Sequence, residues 1–295
     1  MTAPHQDPAT AGRRTDPPVG PPPDGLLWEF YGDVRFLMWL PAALALQTAL
    51  PGVGAGVDDH SVFRTDPWGR ADRSVRSALL WVYGGEEAAA EGRRLRRLHR
   101  SISGTTPDGR RYHSLDPHLY GWVHATGYPV MLRALSVLHG RSCTPAEQEA
   151  LYREWRTVGV LLGLRDRDLP ATAAEFAPRY RAWLDELVAT PVVRELTDPR
   201  NTVGPPDHGP RPVRVPLRIA WPLLRRPTAR LLAFLTVGLM PPEARAAVGL
   251  PWSEQQERRL RALGRATGAV VTRLPERLRY LPDAARARRA HRARH

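Results

Sequence analysis

The stretch "FLMWLPAALALQTALPGVGAGV", Phe36 to Val57, runs 22 residues without a charge. A segment of that length and polarity either crosses a bilayer or lies inside a folded core. Pro41, Gln47, Pro51 and the glycines Gly52, Gly54 and Gly56 interrupt it, which shortens the expected continuous helix to Phe36–Leu50. That is short for a membrane span, so a buried core helix is the expectation.

The rest of the chain is read around that core. Runs of alternating β-branched residues are few and no Asn-Gly turn occurs, so strands are not expected. Helical signals recur instead. Leu26–Leu50 reads as an apolar helix pair, or one helix kinked at Pro41. Asp72–Val82 places Val75, Leu79, Leu80 and Val82 at helical spacing. "GGEEAAAEGRRLRRLHRSI" runs from acids to arginines, the order that suits a helix dipole, with Leu95, Leu98 and Ile102 on one face. "TTPDGRR" is turn chemistry. Asp116-Pro117 reads as a cap and first residue of a helix closing at Gly140. Thr144 with Glu147, and Thr172 with Glu175, have the spacing of capping boxes. A Pro-rich connection precedes short helices near Leu217–Leu224 and Thr228–Val237, and Ser253–Val271 reads as a longer one. The fold class expected is all-α: one helical domain over 26–280, a disordered Pro-rich leader over 1–25 and a basic tail over 281–295.

The single cysteine, Cys143, excludes an intramolecular disulfide and any cysteine-built zinc or iron–sulfur site. It is compatible with a cytoplasmic location, and the leader has no apolar core of a secretory signal. Net charge is +13, carried by 43 arginines and no lysine, a pattern that reads as GC-rich coding bias. The basic end, "TRLPERLRYLPDAARARRAHRARH", is expected to be a frayed, solvated tail. It is also a candidate for peripheral contact with an anionic membrane. No nucleic-acid partner is expected.

The chemistry concentrates between Leu98 and Tyr128. His124 lies four residues after Tyr120 and four before Tyr128, so a continuous helix would put all three on one face. Gly121 and Gly127 are small neighbours that would let a flat group approach. A buried histidine bonded to a backbone carbonyl accounts for the same pattern. His99 sits among Arg93, Arg94, Arg96, Arg97 and Arg100. It is either the edge of a solvated basic face or part of a site for an anionic group. His113 and His118 flank the turn and are expected to face solvent. "DDHS" (Asp58 to Ser61) reads as a helix N-terminus rather than a metal site. Arg70, Arg73 and Arg76 are carboxylate partners or surface ion pairs. Phe36, Leu37, Trp39 and Leu40 are compatible with an apolar channel but read more simply as core.

Six pieces in order carry a resemblance: "GDVRFLMWLPAALALQTALPGVGAGVDDHS", "DPWGRADRS", "VYGGEEAAAEGRRLRRLHRSISG", "YHSLDPHLYGWVHATGY", "LGLRDRDLPATAAEF" and "LMPPEARAAVGLPWS". Across roughly Gly25–Arg279 the chain resembles the haem-dependent oxygenases that include the MpaB oxygenase and the latex-clearing rubber oxygenases. The resemblance implies a globin-like helical fold holding haem b. It implies a reaction of dioxygen with a carbon–carbon double bond of an apolar, isoprenoid- or lipid-like molecule. His124, in Trp-Val-His, matches the family's proximal iron ligand. Arg96 and His99 match its arginine and distal residue, and so are the catalytic candidates. The rubber-cleaving branch has lysine where this chain has His99, which points away from rubber and raises His99 as a second iron ligand. Arg96, Arg100, Arg73 and Tyr128 complete the expected cofactor contacts. The alternatives are a non-catalytic helical protein that binds a membrane surface or partner, and a haem protein with another redox role.

Overall fold

In this computed structural model the described residues are 20–207 and 211–294. Most of the expected leader therefore lies outside them. The helices follow in chain order: α1 (Leu26–Phe30), α2 (Phe36–Gln47), α3 (Pro51–His60), α4 (Pro67–Tyr83), α5 (Glu86–His99), then a hairpin β1 (Ser103–Thr105) and β2 (Arg111–His113). After it come α6 (Pro117–Ala125), α7 (Gly127–Leu138), α8 (Pro145–Leu161), α9 (Ala173–Leu184) and α10 (Pro191–Thr197). The chain ends in α11 (Arg211–Leu239), α12 (Pro242–Val248), α13 (Glu254–Val271), α14 (Glu276–Arg279) and α15 (Pro282–Arg292). The all-α expectation holds apart from the hairpin. Three residues per strand are too few to show alternation. What makes the hairpin is the Asp108-Gly109 turn, with Gly109 at φ +86°.

The charge-free run forms two helices. α2 buries Phe36, Trp39, Ala42, Ala43, Ala45 and Leu46, on several sides rather than one stripe, as a helix apolar all round must. Helices α7, α10 and α11 pack on it. Phe36 and Trp39 are core, while Leu37 is half exposed. Pro41 sits inside α2 without breaking it. The break expected there lies instead at Tyr31–Arg35, before α2. The glycines expected to end helical structure are inside α3, which turns off α2 by 107°. Gly54 explains why: a Cβ there would come within 2.6 Å of the Thr48 carbonyl and 2.9 Å of Thr190. Close approach, not a loop, is the use of that glycine. Among the described residues no single helix is long and apolar enough to cross a membrane.

Further boundaries differ from expectation. The helix expected over 117–140 is two helices meeting at Thr126. The two short helices near 217 and 228 are one, α11, with Pro216, Pro222 and Pro227 inside it and all three exposed. Asp58, Asp59 and His60 end α3 instead of starting a helix: Asp58 pairs with Arg64, and Asp59 accepts from the Tyr112 hydroxyl at 2.6 Å. The packed face of α5 is Ala88, Ala89, Glu91 and Gly92, and Leu98 is exposed. The basic tail does not fray over 282–292. It forms α15, which buries Ala284 and Ala285. Arg288 and Arg292 of α15 pair with Glu276, and Arg288 also lies over the Tyr280 ring. α8 carries the expected capping box; on α9 Thr172 caps the helix but Glu175 accepts from the Ala171 N–H instead of closing the box, and α13 has a box the sequence reading did not name, Ser253 with Gln256.

A buried ion cluster joins the two ends of the described chain. Asp33 accepts from Arg35 at both carboxylate oxygens (2.8 and 2.7 Å) and from Arg279 at 3.2 Å. Arg35 also donates to the Leu138 carbonyl at the end of α7. Backbone bonds Val34 N–H to Arg279 O and Leu281 N–H to Gly32 O run alongside. Burial alone would raise the Asp33 carboxyl pKa; the Arg35 bonds outweigh it and hold it below the usual carboxylate value. Removing one partner of such a pair leaves a buried charge uncompensated. Asp33→Ala is expected to lower unfolding free energy by about 3–5 kcal/mol in urea titrations near neutral pH. The double change Asp33→Ala, Arg35→Met should recover part of that loss.

Candidate functional site

His124 lies on α6, and the sequence sets that helix rigidly. Asp116 caps it by accepting from the backbone N–H groups of His118 and Leu119, and Pro117 opens it. The other end is tied to the core helix. Trp122 Nε1 donates to the Gln47 carbonyl at 3.0 Å, and Gln47 Nε2 donates to the Val123 carbonyl at 3.2 Å.

The imidazole itself is locked against Trp155 of α8. The two rings stack with centroids 5.0 Å apart and planes 8° from parallel. The hydrogen bonds are reciprocal: His124 Nε2 to the Trp155 carbonyl, and Trp155 Nε1 to the His124 carbonyl, each 2.9 Å. A carbonyl only accepts, so Nε2 carries the proton. Two glycines permit the contact. A Cβ on Gly127 would lie 2.3 Å from the Trp155 ring, and one on Gly159 would lie 2.9 Å from His124 Nε2. Burial lowers the His124 pKa to about 4, so the ring is neutral near pH 7.

A cavity of about 220 Å³ opens beside this histidine. Gly121, Ala125, Tyr152, Phe176 and Trp183 line it with His124, and Arg167, Asp168 and Arg179 lie along the same wall. Trp183 Nε1 is buried with no hydrogen-bond partner among the described residues, and Arg179 lies over the Trp183 ring at 4.9 Å. Trp155, Tyr152, Gly159, Phe176 and Trp183 were not singled out by the sequence reading. Their signal was weak: Trp155 and Gly159 are spaced four apart in "EWRTVG", which places them on one face of α8.

The expected site residues divide into groups. Tyr128 falls in α7, beyond the break at Thr126, so it does not continue His124's helix face. Its ring packs on Tyr152 and Phe176 of the cavity wall, and its hydroxyl donates to the Gln148 carbonyl. Arg96, His99 and Tyr120 gather at the end of α8. Arg96 donates to the Gly163 carbonyl at 2.9 Å and Tyr120 to the Leu162 carbonyl at 3.0 Å. His99 meets the Tyr120 ring edge-on at 6.2 Å and its Nδ1 lies 2.7 Å from the Leu95 carbonyl. Neither Arg96 nor His99 lines the His124 cavity. Arg100 is exposed, and Arg73 is exposed and pairs with Asp66 at the start of α4. His113 is exposed and His118 pairs with Glu186. Burial raises the Cys143 thiol pKa, which disfavours the reactive thiolate.

The haem implied by the resemblance can be tested against these residues. The donor chemistry of His124 suits an axial ligand, since a buried neutral imidazole needs no deprotonation. The space does not suit haem. The cavity is below the roughly 300–1,000 Å³ of pockets that hold drug-sized ligands. Nε2, the nitrogen that would face iron if Nδ1 kept the proton, is bonded to Trp155. The end of α8 ties α5 to α6, with Arg96 and Tyr120 donating to the Gly163 and Leu162 carbonyls, and so fills the space between the helices that carry His99 and His124. In this packing the residues do not accommodate the group. Among the described residues no cluster of three or more His, Cys, Asp or Glu is placed to hold a metal ion.

A second histidine, the half-buried His139 beside the Asp33–Arg35 cluster, shares this pH behaviour. His139 is also held down to about 4, by burial first and then by the nearby Arg35 charge. Both folded-state values are depressed below the ordinary value near 6.5, so the unfolded chain binds these protons first. Stability from each neutral ring is complete above about pH 6.5 and is lost as pH falls toward 4. The slope is about 1.4 kcal/mol per pH unit per group. Urea midpoints measured from pH 7 to 4.5 should fall more steeply in the wild type than in a His124→Phe, His139→Phe variant.

Comparison with known proteins supplies the family. Residues 28–269 match the family model described as "ER-bound oxygenase mpaB/B'/Rubber oxygenase, catalytic domain". Uncharacterized proteins of Mycobacterium bovis and Mycobacterium tuberculosis are each 29% identical over 248 residues, covering 82% of this chain and 89% of theirs. No solved structure gave a significant match. With a match over most of its length, the chain belongs to the family of mpaB and rubber oxygenase catalytic domains.

Proposed function

We propose that this protein is a haem b-dependent oxygenase that uses dioxygen to oxidise or cleave a carbon–carbon double bond of an apolar, isoprenoid- or lipid-like molecule. Family membership supports the reaction class. The observation that carries the residue assignment is His124. It is a buried, neutral imidazole on a capped helix, beside a cavity walled by aromatic rings. An imidazole kept neutral well below pH 7 keeps one nitrogen's lone pair free of a proton, which is what a metal ligand needs. Arg96 and His99, gathered with Tyr120 at the end of α8, would be the polar groups on the other side of a bound haem, which would itself supply the oxygen chemistry. His99 as a second iron ligand belongs to the same proposal.

The packing described above adds a condition. The bond from His124 Nε2 to the Trp155 carbonyl must open, and the Nε2 proton must move to Nδ1, before that nitrogen can act as a ligand. The residues after α8, which carry Leu164, Leu169 and Pro170 on the cavity wall, must then move apart from α6. Titration of the purified protein with haemin tests the proposal. A Soret band that saturates at one haem per chain is expected, and His124→Ala should lower the apparent affinity at least about tenfold, a change of about 1.4 kcal/mol. A His99→Ala variant that turns six-coordinate low-spin iron into five-coordinate iron would show that His99 also ligates. Wild-type protein that binds no haem, or a His124→Ala variant that binds it equally, would overturn the assignment. Oxygen uptake with an unsaturated isoprenoid then tests the reaction.

A further inference from the structure

The N-terminal half of α11 presents a face that the fold does not use. Trp221 is its inward anchor: the ring packs on Trp68 at 5.9 Å, and Nε1 donates to the Val203 carbonyl. Residues two positions either side of Trp221 point about the opposite way at 3.6 residues per turn. These are Ile219 and Leu223, 77% and 82% exposed. Val215, one turn before Ile219, continues the stripe at 51%. Three branched apolar side chains at i, i+4 and i+8 thus form a row in water. Trp221 holds the helix from the other side, so the row cannot turn inward.

The charge around this row has one sign. Between Arg211 and Leu239 there are six arginines and no Asp or Glu. Arg218 and Arg225 border the row on one side, and Arg226 and Arg230 extend it toward the C-terminus; all four are exposed. Long arginine stems can lie along an apolar surface while their guanidinium groups reach phosphates. Single-sign charge argues against a second copy as the occupant, since two such faces would repel.

We propose that this face of α11 docks the protein on an anionic lipid bilayer, with Val215, Ile219 and Leu223 entering the acyl boundary and the arginines pairing with headgroup phosphates. Helices with an apolar row and a basic border bind in the interface plane by both terms together. The surface is distinct from the basic tail, whose Arg288 and Arg292 pair with Glu276.

Vesicle co-sedimentation of the full chain tests it. Wild-type protein should partition at least about tenfold more strongly into vesicles of phosphatidylcholine mixed with phosphatidylglycerol than into phosphatidylcholine alone, and release as salt rises. Ile219→Ser with Leu223→Ser should reduce binding by about tenfold or more, because two apolar anchors are lost. The charge change Arg225→Glu with Arg226→Glu should do the same. These side chains are exposed, so circular dichroism and the unfolding midpoint should stay at wild-type values. A tail variant, Arg289→Glu with Arg294→Glu, should still bind. Equal binding to both vesicle types would overturn the proposal. So would wild-type binding by the Ile219, Leu223 variant, or loss in the tail variant alone. Concentration-dependent dimerisation without vesicle binding, abolished by Ile219→Ser with Leu223→Ser, would assign the face to a second copy instead.

Discussion

The reciprocal lock between His124 and Trp155 is the contact around which the candidate site is arranged. Each ring donates to the main-chain carbonyl of the other residue, so the pair fixes both side chains and both helices. Two hydrogen bonds of about 1 kcal/mol each and an aromatic stack of about 0.5–1.5 kcal/mol hold it. The sum, roughly 3 kcal/mol, is small beside the 8 kcal/mol or so of a ligand bound with micromolar affinity. The lock is strong enough to define one packing of α6 on α8 and weak enough for a competing ligand to open it. It also fixes which ring nitrogen carries the proton, a detail that burial alone does not determine.

Much of this is legible in the sequence alone. Caps are local, and the cap residues at Asp116, Thr144 and Thr172 announce their helices because a side-chain oxygen two or three residues from a free N–H needs nothing from the rest of the fold. The core placement of α2 was legible for a similar reason: a charge-free helix with no polar face has few places to go. His124 stood out by its apolar neighbours. Its partner did not, because Trp155 is 31 residues away and nothing local in "EWRTVG" says which helix it meets.

Misread positions share a cause. Gly54 and the prolines of α11 look like helix breakers when only their own chain is considered. Gly54 lies in a helix because the Thr48 carbonyl and Thr190 need the space. The prolines stay helical on the exposed side, where water can take the carbonyls they leave without partners. Thr126 was the reverse case. The sequence does mark this break, with Gly127 and with Pro129, which has no N–H to bond the Ala125 carbonyl: α6 ends at Ala125 and the chain restarts at Gly127, whose missing side chain admits the Trp155 ring. That break separates Tyr128 from His124 and removes the helix face on which the sequence had placed both.

The charge-free run and α11 solve one problem in opposite ways. α2 has no charge and is enclosed by α7, α10 and α11. α11 covers α2, buries Ala233, Leu235 and Leu239 in its C-terminal half, and carries all six of its arginines between Arg211 and Arg230. A helix that only shielded the core would need one apolar stripe. Here Trp221 belongs to that stripe, and Val215, Ile219 and Leu223 form a second on the far side. Exposing a second row in water weakens solubility unless something covers it or charge offsets it. The six arginines offset it, and their uniform sign then sets what surface can approach.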